Sequence, residues 1–395
     1  MPIALTEKIH WVGVNDRVTH LFESIWPLPK GVAYNSYVIN DEKTVVVDAL
    51  KPVAPTQYLD EIRQVIGAER QLDYLVINHM EPDHSGGVRL LKEAFPDLEI
   101  IANKRTTKFL REFYGLGDCV REMADGETLS IGQHELKFVL TPLVHWPETM
   151  MTYETTTGIL FAGDAFGAFG ALDGGIFDDE IDIDAMEDEI RRYFANIVGK
   201  YSKNVLKAFD KLKDVEVKMV ASTHGPVWRT NPQRILDLYA SMSRHEGMDG
   251  VLLAFGSMYG NTQRMAEAVA AGLREGGITD ICVADVSRVD VSFLLRDAWK
   301  YRGLALGAPT HDQQIFPLMA DFLKFLKSKG LSNRVAGIFG SYGWSGGCVD
   351  GMREIAEANG WDVVEPVVEA CCAPGEDDLE NCRKIGLEMA AALNG

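Results

Sequence analysis

Past residue 250 the chain alternates between strand-sized apolar runs and amphipathic stretches of helical period, and few folds accept that alternation. The apolar runs fall at 250–255, 281–284, 303–306, 335–339 and 362–365, and the helical stretches at 262–274, 291–299, 317–329, 348–359 and 377–393. Runs that are apolar throughout suit strands buried on both faces, as parallel strands under crossover helices are. Five of each within about 145 residues predict a doubly wound parallel sheet. The earlier part reads differently. Residues 34–39 and 44–48 flank Asn40-Asp41-Glu42-Lys43 as a hairpin, further short strands fall at 75–77, 136–140 and 159–161, and helices follow at 184–201 and 204–212. The change of pattern divides the chain into residues 1–247 and 248–395.

The short strand at 75–77 runs into Asn78-His79-Met80-Glu81-Pro82-Asp83-His84-Ser85-Gly86-Gly87. In an extended segment residues i and i+2 face the same way, so His79, Glu81 and Asp83 are expected to converge, with His84 turned to an adjacent position. Pro82 and the Gly86-Gly87 pair stiffen and sharpen the turn. Three later residues share a context, each following an apolar run beside Gly or Pro: His145, Asp164 and His224. Singly each reads as a hydrogen-bonded core imidazole or a turn-capping carboxylate. Jointly they complete a set of four imidazoles and three carboxylates, too many for one ion and suited to two that share a bridging carboxylate. Asp48, at the end of Val45-Val46-Val47-Asp48, reads either as a residue orienting a ligand or as a strand-terminal Asp in a turn.

In the second half, the run at 250–255 opens into Gly256-Ser257-Met258-Tyr259-Gly260-Asn261-Thr262 just before a helix. Backbone N–H groups and hydroxyls there suit a phosphate. Neither a Walker loop nor Gly-x-Gly-x-x-Gly is present; the loop resembles the FMN phosphate loop of flavodoxins. Two more loops follow later strands, where ligands of such sheets gather: Pro309-Thr310-His311, and Ser341-Tyr342-Gly343-Trp344 leading to Gly346. Aromatic residues among glycines let the backbone approach a flat ring while a side chain stacks on it, which makes FMN the expected cofactor.

Lys and Arg number 39 against 58 Asp and Glu, a formal charge of −19, so nucleic acid and anionic membrane surfaces are poor partners. No apolar run approaches the ~18 residues of a membrane helix, and the N-terminus shows no basic region followed by an apolar stretch. The six cysteines form no Cys-x-x-Cys, as expected of reduced thiols in the cytoplasm, and their spacing excludes a built-in rubredoxin or iron–sulfur domain.

The order of the metal motifs resembles the metallo-β-lactamase-like superfamily, which implies an αβ/βα sandwich with metals at one edge. Zinc hydrolases of that superfamily usually carry His where this chain carries Glu81. A carboxylate there makes a harder, more anionic site that favours iron. Joined to a flavodoxin-like half, the whole chain resembles the flavodiiron proteins, also called rubredoxin:oxygen oxidoreductases, with all seven family ligand positions matched. The resemblance implies a non-haem di-iron site, one FMN, and cytoplasmic reduction of O₂ to water, of NO to N₂O, or of both. It also implies a separate donor such as rubredoxin or reduced coenzyme F420, and a head-to-tail homodimer or a dimer of dimers. Tyr193 resembles a pocket tyrosine that donates to a bound ligand, and equally a helix-face core residue. Gly163-Asp164-Ala165-Phe166-Gly167-Ala168-Phe169 and Leu21-Phe22-Glu23 depart from the family's usual residues around the diatomic pocket, so the preferred gas does not carry over. Two other readings stay open: a zinc hydrolase with a regulatory flavodoxin-like half, and an electron carrier whose first half only docks.

Overall fold

The computed structural model describes residues 1–395. The chain divides into two compact units, Met1–Ala240 and Ser241–Gly395. In the first, one sheet runs in the order Ile3–Ala4, Ile9–Trp11, Tyr37–Asn40, Thr44–Val47, Tyr74–Val76, Glu99–Ala102, Val120–Glu122. A second sheet runs Thr128–Ser130, Glu135–Leu140, Met150–Glu154, Ile159–Phe161, Met219–Ala221. Ile9, Val45, Val47, Val76 and Ile101 of the first sheet share one core with Leu136, Phe138, Ile159 and Phe161 of the second. The sheets therefore pack face to face.

The hairpin forms as the sequence predicts, with Asn40 opposite Thr44. The strands after it join in parallel, Val45 beside Tyr74 and Tyr74 beside Glu99, through the helices Pro55–Ile66 and Val88–Ala94. Parallel pairing brings the C-terminal ends of these strands to one edge, which is where Asp48 and Asn78 stand. In the second sheet Ile159–Phe161 and Met219–Ala221 are also parallel, Phe161 beside Ala221. The loops carrying Asp164 and His224 thus leave side by side, tied by Thr223 N–H donating to Gly163 O at 2.9 Å.

The helix expected over 184–201 is not continuous. It is α-helical over Ile183–Tyr193, passes through a π-helical turn at Phe194–Val198 and ends in a 3-10 turn at Gly199–Tyr201.

The second unit is a parallel sheet in the order Ile281–Asp285, Met248–Phe255, Tyr301–His311, Val335–Tyr342, Asp362–Val363. The fifth strand, expected over 362–365, stops at Val363, and Val368–Cys371 resumes the pairing along Val335–Tyr342. Pro366 lies in the gap, and a proline has no N–H to give a ladder. The helices Asn261–Glu275 and Glu376–Asn394 cover one face, packing Met265, Val269 and Leu273 with Ile385, Met389 and Leu393. They approach so closely that a Cβ on Gly386 would stand 2.2 Å from Val269 O, and one on Gly272 would stand 1.9 Å from Arg383 O. Both positions require glycine.

Candidate metal centre and flavin cradle

All seven expected metal ligands gather at the strand-end edge of the first unit, in two groups. His79, Glu81, His145 and Asp164 form one; Asp83, His84 and His224 form the other; within each, the donor atoms lie within 4.8 Å of one another. In the first group His79 Nε2 lies 3.2 Å and His145 Nε2 3.1 Å from Glu81 Oε2. Asp164 Oδ2 lies 3.0 Å from His145 Nε2 and 3.6 Å from His79 Nε2. Its other oxygen, Oδ1, faces the second group, 2.9 Å from His84 Nε2 and 3.7 Å from His224 Nε2. Asp83 Oδ2 completes that group at 3.2 Å from His84 and 3.4 Å from His224. Asp164 is thus the carboxylate common to both.

The partition of His79–His84 differs from the expected alternation. Glu81 is extended (φ −56°, ψ 139°), but Pro82–Ser85 is a helical turn. The turn swings Asp83 away from His79 and Glu81 and hands it, with His84, to the second group. Pro82 permits this because its fixed φ suits the first position of a helical turn.

Two of the four rings are held by neighbours that leave Nε2 facing the centre. His79 Nδ1 donates to Glu148 Oε1 at 2.8 Å, and the same oxygen accepts Met80 N–H at 2.9 Å. His224 Nδ1 donates to Ala33 O at 2.8 Å. The Thr223 hydroxyl donates to Asp164 Oδ1 at 2.7 Å. Such bonds fix tautomer and ring orientation at metal sites. Asp48 accepts the N–H and the side-chain amide of Asn78, at 2.7 and 2.9 Å, and so clamps the segment just ahead of His79 rather than a ring.

Charge compensation inside the cluster is strong. Burial disfavours charged His79, yet Asp164, Glu148 and Glu81 outweigh it and push the imidazole up to about 10. The same contest pushes His145 up to about 9, through Asp164 and Glu81. Asp83 and Asp164 are held well below the carboxylate range despite burial, His84 being the largest favourable influence on each. The buried carboxylates thus favour the charged forms of His79, His84 and His145, and a metal cation would satisfy the same demand by displacing those protons. The donor chemistry, two carboxylates and two imidazoles in one group with the shared Asp164 completing the other, fits two hard or borderline cations.

Tyr193 is fully buried, and its hydroxyl meets no hydrogen-bond partner. Its ring stands 5.4 Å from that of His224 and 5.1 Å from that of Phe169. A cavity of about 500 Å³ opens beside the centre, lined by Glu81 and Asp83 and by Glu23, Tyr34, Lys51 and Tyr114. Sequence reasoning missed Glu148, and it named Glu23 only within a segment that departs from the family's usual pocket residues. Glu148 stands three residues after His145, a spacing that does not reveal that it reaches His79. Partial burial and the neighbouring Glu81 push the Glu23 carboxyl up to about 7.

In the second unit the three expected loops enclose a cavity of about 340 Å³. Ser257, Met258, Tyr259, Asn261, Thr262, Pro309, Thr310, His311, Ser341, Tyr342, Gly343 and Trp344 line it, together with Asp312 and Cys372, which the sequence reading did not select. Gly260 and Gly346 do not line it. Gly260, at φ +87°, precedes the helix Asn261–Glu275 and donates its N–H to Ser257 Oγ, while a Cβ on Gly346 would meet the Glu369 carboxylate at 2.5 Å. Thr262 and Ser341 join their hydroxyls at 2.9 Å at the helix N-terminus, the place for a phosphate. Tyr259 and Trp344 are 89% and 88% exposed, two aromatic faces at the rim that fit a flat ring.

Comparison with known proteins agrees in both halves. Residues 32–225 match the family described as ODP family beta lactamase, and residues 253–386 match the flavodoxin family. A nitric oxide reductase of Moorella thermoacetica is 30% identical over 397 residues, covering 99% of each chain. The chain belongs to the flavodiiron protein family. Among solved flavodiiron structures, rubredoxin oxygen:oxidoreductase from Desulfovibrio gigas superimposes with a TM-score of 0.94 at 28% identity, over 100% of this chain and 99% of that one. The flavodiiron protein of Giardia intestinalis gives 0.94 at 27% identity, over 100% and 97%. The expected fold, a β-lactamase-like half followed by a flavodoxin-like half, therefore stands, and the family consists of oxidoreductases.

Proposed function

We propose that this flavodiiron protein binds two irons through residues 1–247 and one FMN through residues 248–395, and reduces O₂ to water, NO to N₂O, or both. The observation that carries the metal part is Asp164, whose two oxygens face different donor groups. His79, Glu81, His145 and Asp164 would hold one iron, and Asp83, His84, His224 and Asp164 the other. When bound, the irons supply redox chemistry and open coordination positions, and FMN supplies the electrons. Glu148 and Ala33 orient His79 and His224. Tyr193 is the residue to donate a hydrogen bond to a bound diatomic, because its buried hydroxyl is otherwise unpartnered. In the second half, Thr262, Ser257 and Asn261 would take the phosphate, and Tyr259 and Trp344 the ring.

Electrons would come from a small donor such as rubredoxin or reduced coenzyme F420, and the working unit would be a head-to-tail homodimer or a dimer of dimers in the cytoplasm. No helix is long and apolar enough to cross a membrane. The zinc hydrolase reading is disfavoured by the acidic donor set and by relatives named as reductases. The deciding experiment measures iron and FMN per chain, then anaerobic turnover of NO and of O₂ with reduced rubredoxin. About two irons and one FMN with turnover of either gas are expected; full zinc occupancy in iron-replete protein with no turnover would overturn the proposal.

A further inference from the structure

Cys371 ends the strand Val368–Cys371, and Cys372 follows it at the rim of the flavin cavity, which Cys372 lines. Both are exposed, whereas the other four cysteines are buried or half-buried. The two sulfurs stand 3.9 Å apart, and both thiols approach the same carbonyl, Gly343 O, at 3.9 and 3.5 Å. Cys371 pairs across the sheet with Tyr342, and Cys372 N–H donates to Tyr342 O at 2.7 Å. Cys372 holds φ at +60°, a conformation uncommon for a side-chain-bearing residue. The dithiol is therefore tied directly to the loop that carries Tyr342, Gly343 and Trp344.

We propose that Cys371 and Cys372 form an oxidation site which hydrogen peroxide closes to a vicinal disulfide, and that closure weakens FMN binding. The second half of the proposal rests on the flavin reading above. One thiolate attacks the peroxide O–O bond, becoming a sulfenic acid as hydroxide leaves and takes up a proton. The second thiol attacks that sulfur, displacing its hydroxyl as water. The two thiols give up two electrons and two protons in all, and one peroxide becomes two waters. Hydrogen bonding to Cys371 raises the pKa of the Cys372 thiol.

Closure moves atoms that matter to the cavity. A disulfide needs about 2.05 Å between sulfurs, so the pair must shrink by nearly half from 3.9 Å. Adjacent Cα atoms are about 3.8 Å apart across a trans peptide, below the usual disulfide span of about 4.4–6.8 Å. The ring is strained and readily reduced, as labile disulfides are. The displaced groups are the ones bonded to Tyr342 and Gly343, so the loop must shift with them.

The test treats the full-length, FMN-loaded protein with hydrogen peroxide and follows two readouts. One is the mass of the peptide spanning 371–372; the other is the FMN dissociation constant from flavin fluorescence. We expect a loss of two hydrogens in that peptide and FMN binding about tenfold weaker, the scale of one lost hydrogen bond. Dithiothreitol should reverse both, and peroxide should leave the FMN affinity of the Cys371→Ser/Cys372→Ser variant at that variant's own untreated value. Sulfinic acid or intermolecular linkage in place of the internal disulfide would overturn the site. A closed disulfide with FMN affinity unchanged would overturn its effect. Failure of the reduced parent to bind FMN would instead defeat the flavin reading, whatever the peptide masses show, and the coupling would fall with it.

Discussion

Replacing Glu148 by Gln preserves the shape of a buried side chain and removes its charge. Its Oε1 accepts from His79 Nδ1 at 2.8 Å and from Met80 N–H at 2.9 Å, and the amide oxygen of Gln can take both bonds. A hydrogen bond to a charged group contributes about 1.5–3 kcal/mol and a neutral one about 1 kcal/mol, so the bond orienting His79 weakens by about 0.5–2 kcal/mol. That corresponds to a loss of iron affinity of about 2- to 30-fold at the group containing His79, overlapping the range found when outer partners of metal ligands are changed. The other group has no bond to Glu148 among its rings. Iron loss from the loaded protein into excess chelator should therefore split into two phases, with about half the iron leaving faster than from the parent. The rate is read from the bound state, so protons competing for the empty imidazole do not enter it. FMN content and the melting temperature of the metal-free protein serve as controls and should hold. An unchanged single phase would refute the claim that Glu148 orients a ligand.

Asp164→Ala removes an oxygen from both donor groups, whereas Glu81→His alters only one, so iron per chain should fall further in the first variant; equal iron in both would refute the shared carboxylate. Gly386→Ala forces a Cβ to 2.2 Å from Val269 O and should destabilise the flavodoxin-like half by about 1–3 kcal/mol, read as a lower melting temperature; no change would contradict the tight helix contact. Asp41 accepts hydrogen bonds from Lys8 Nζ and from the backbone and ring of His134, and these outweigh burial to hold its carboxyl well below the ordinary range. A depressed folded value means stabilisation fully present above the unfolded value of about 4 and lost progressively as pH falls from there through the lower folded value. Asp41→Asn should then cost about 2–3 kcal/mol at pH 7, with the gap narrowing by pH 3 in chemical denaturation; a gap that widens on acidification would contradict this. Mixing a metal-dead chain (Glu81→Ala, Asp83→Ala) with a flavin-dead chain (Thr262→Ala, Trp344→Ala) tests the crossed dimer, which predicts roughly half the parental turnover from the purified heterodimer. An inactive heterodimer would exclude that arrangement.

What the residues disclosed and what they hid follow from the range of the interactions. The parallel sheet was legible because its strands are apolar on both faces, and the run 317–329 even matches its helix Pro317–Lys329 residue for residue. The gathering of His79, Glu81 and Asp83 was legible from one short segment. Their partition was not, because Pro82 begins a helical turn whose direction is set by what Asp83 and His84 meet, residues as distant as Asp164 and His224. Glu148 reaches a ring 69 positions earlier, and no local pattern reports such a reach. Pro366 was a readable warning that the fifth strand would break. Cys372 joins the flavin cavity only because Val368–Cys371 resumes beside Val335–Tyr342, a pairing absent from any local period.

The bond from His224 to Ala33 spans 191 positions, and Asn35 likewise holds the carbonyls of Ser222 and Gly225. A chain emerges from the ribosome N-terminus first, and contacts so far apart in sequence are slow to form. The last of the seven donors to be made, His224, is the one that bonds back to Ala33 in the opening strands. Assembly of the centre is thereby a late event in the birth of its half. A chain stalled before residue 224 lacks the seventh donor and the bond that ties it to the opening strands. The Ser241–Gly395 unit, whose strands and helices are contiguous, faces no such wait for a partner from the distant start of the chain.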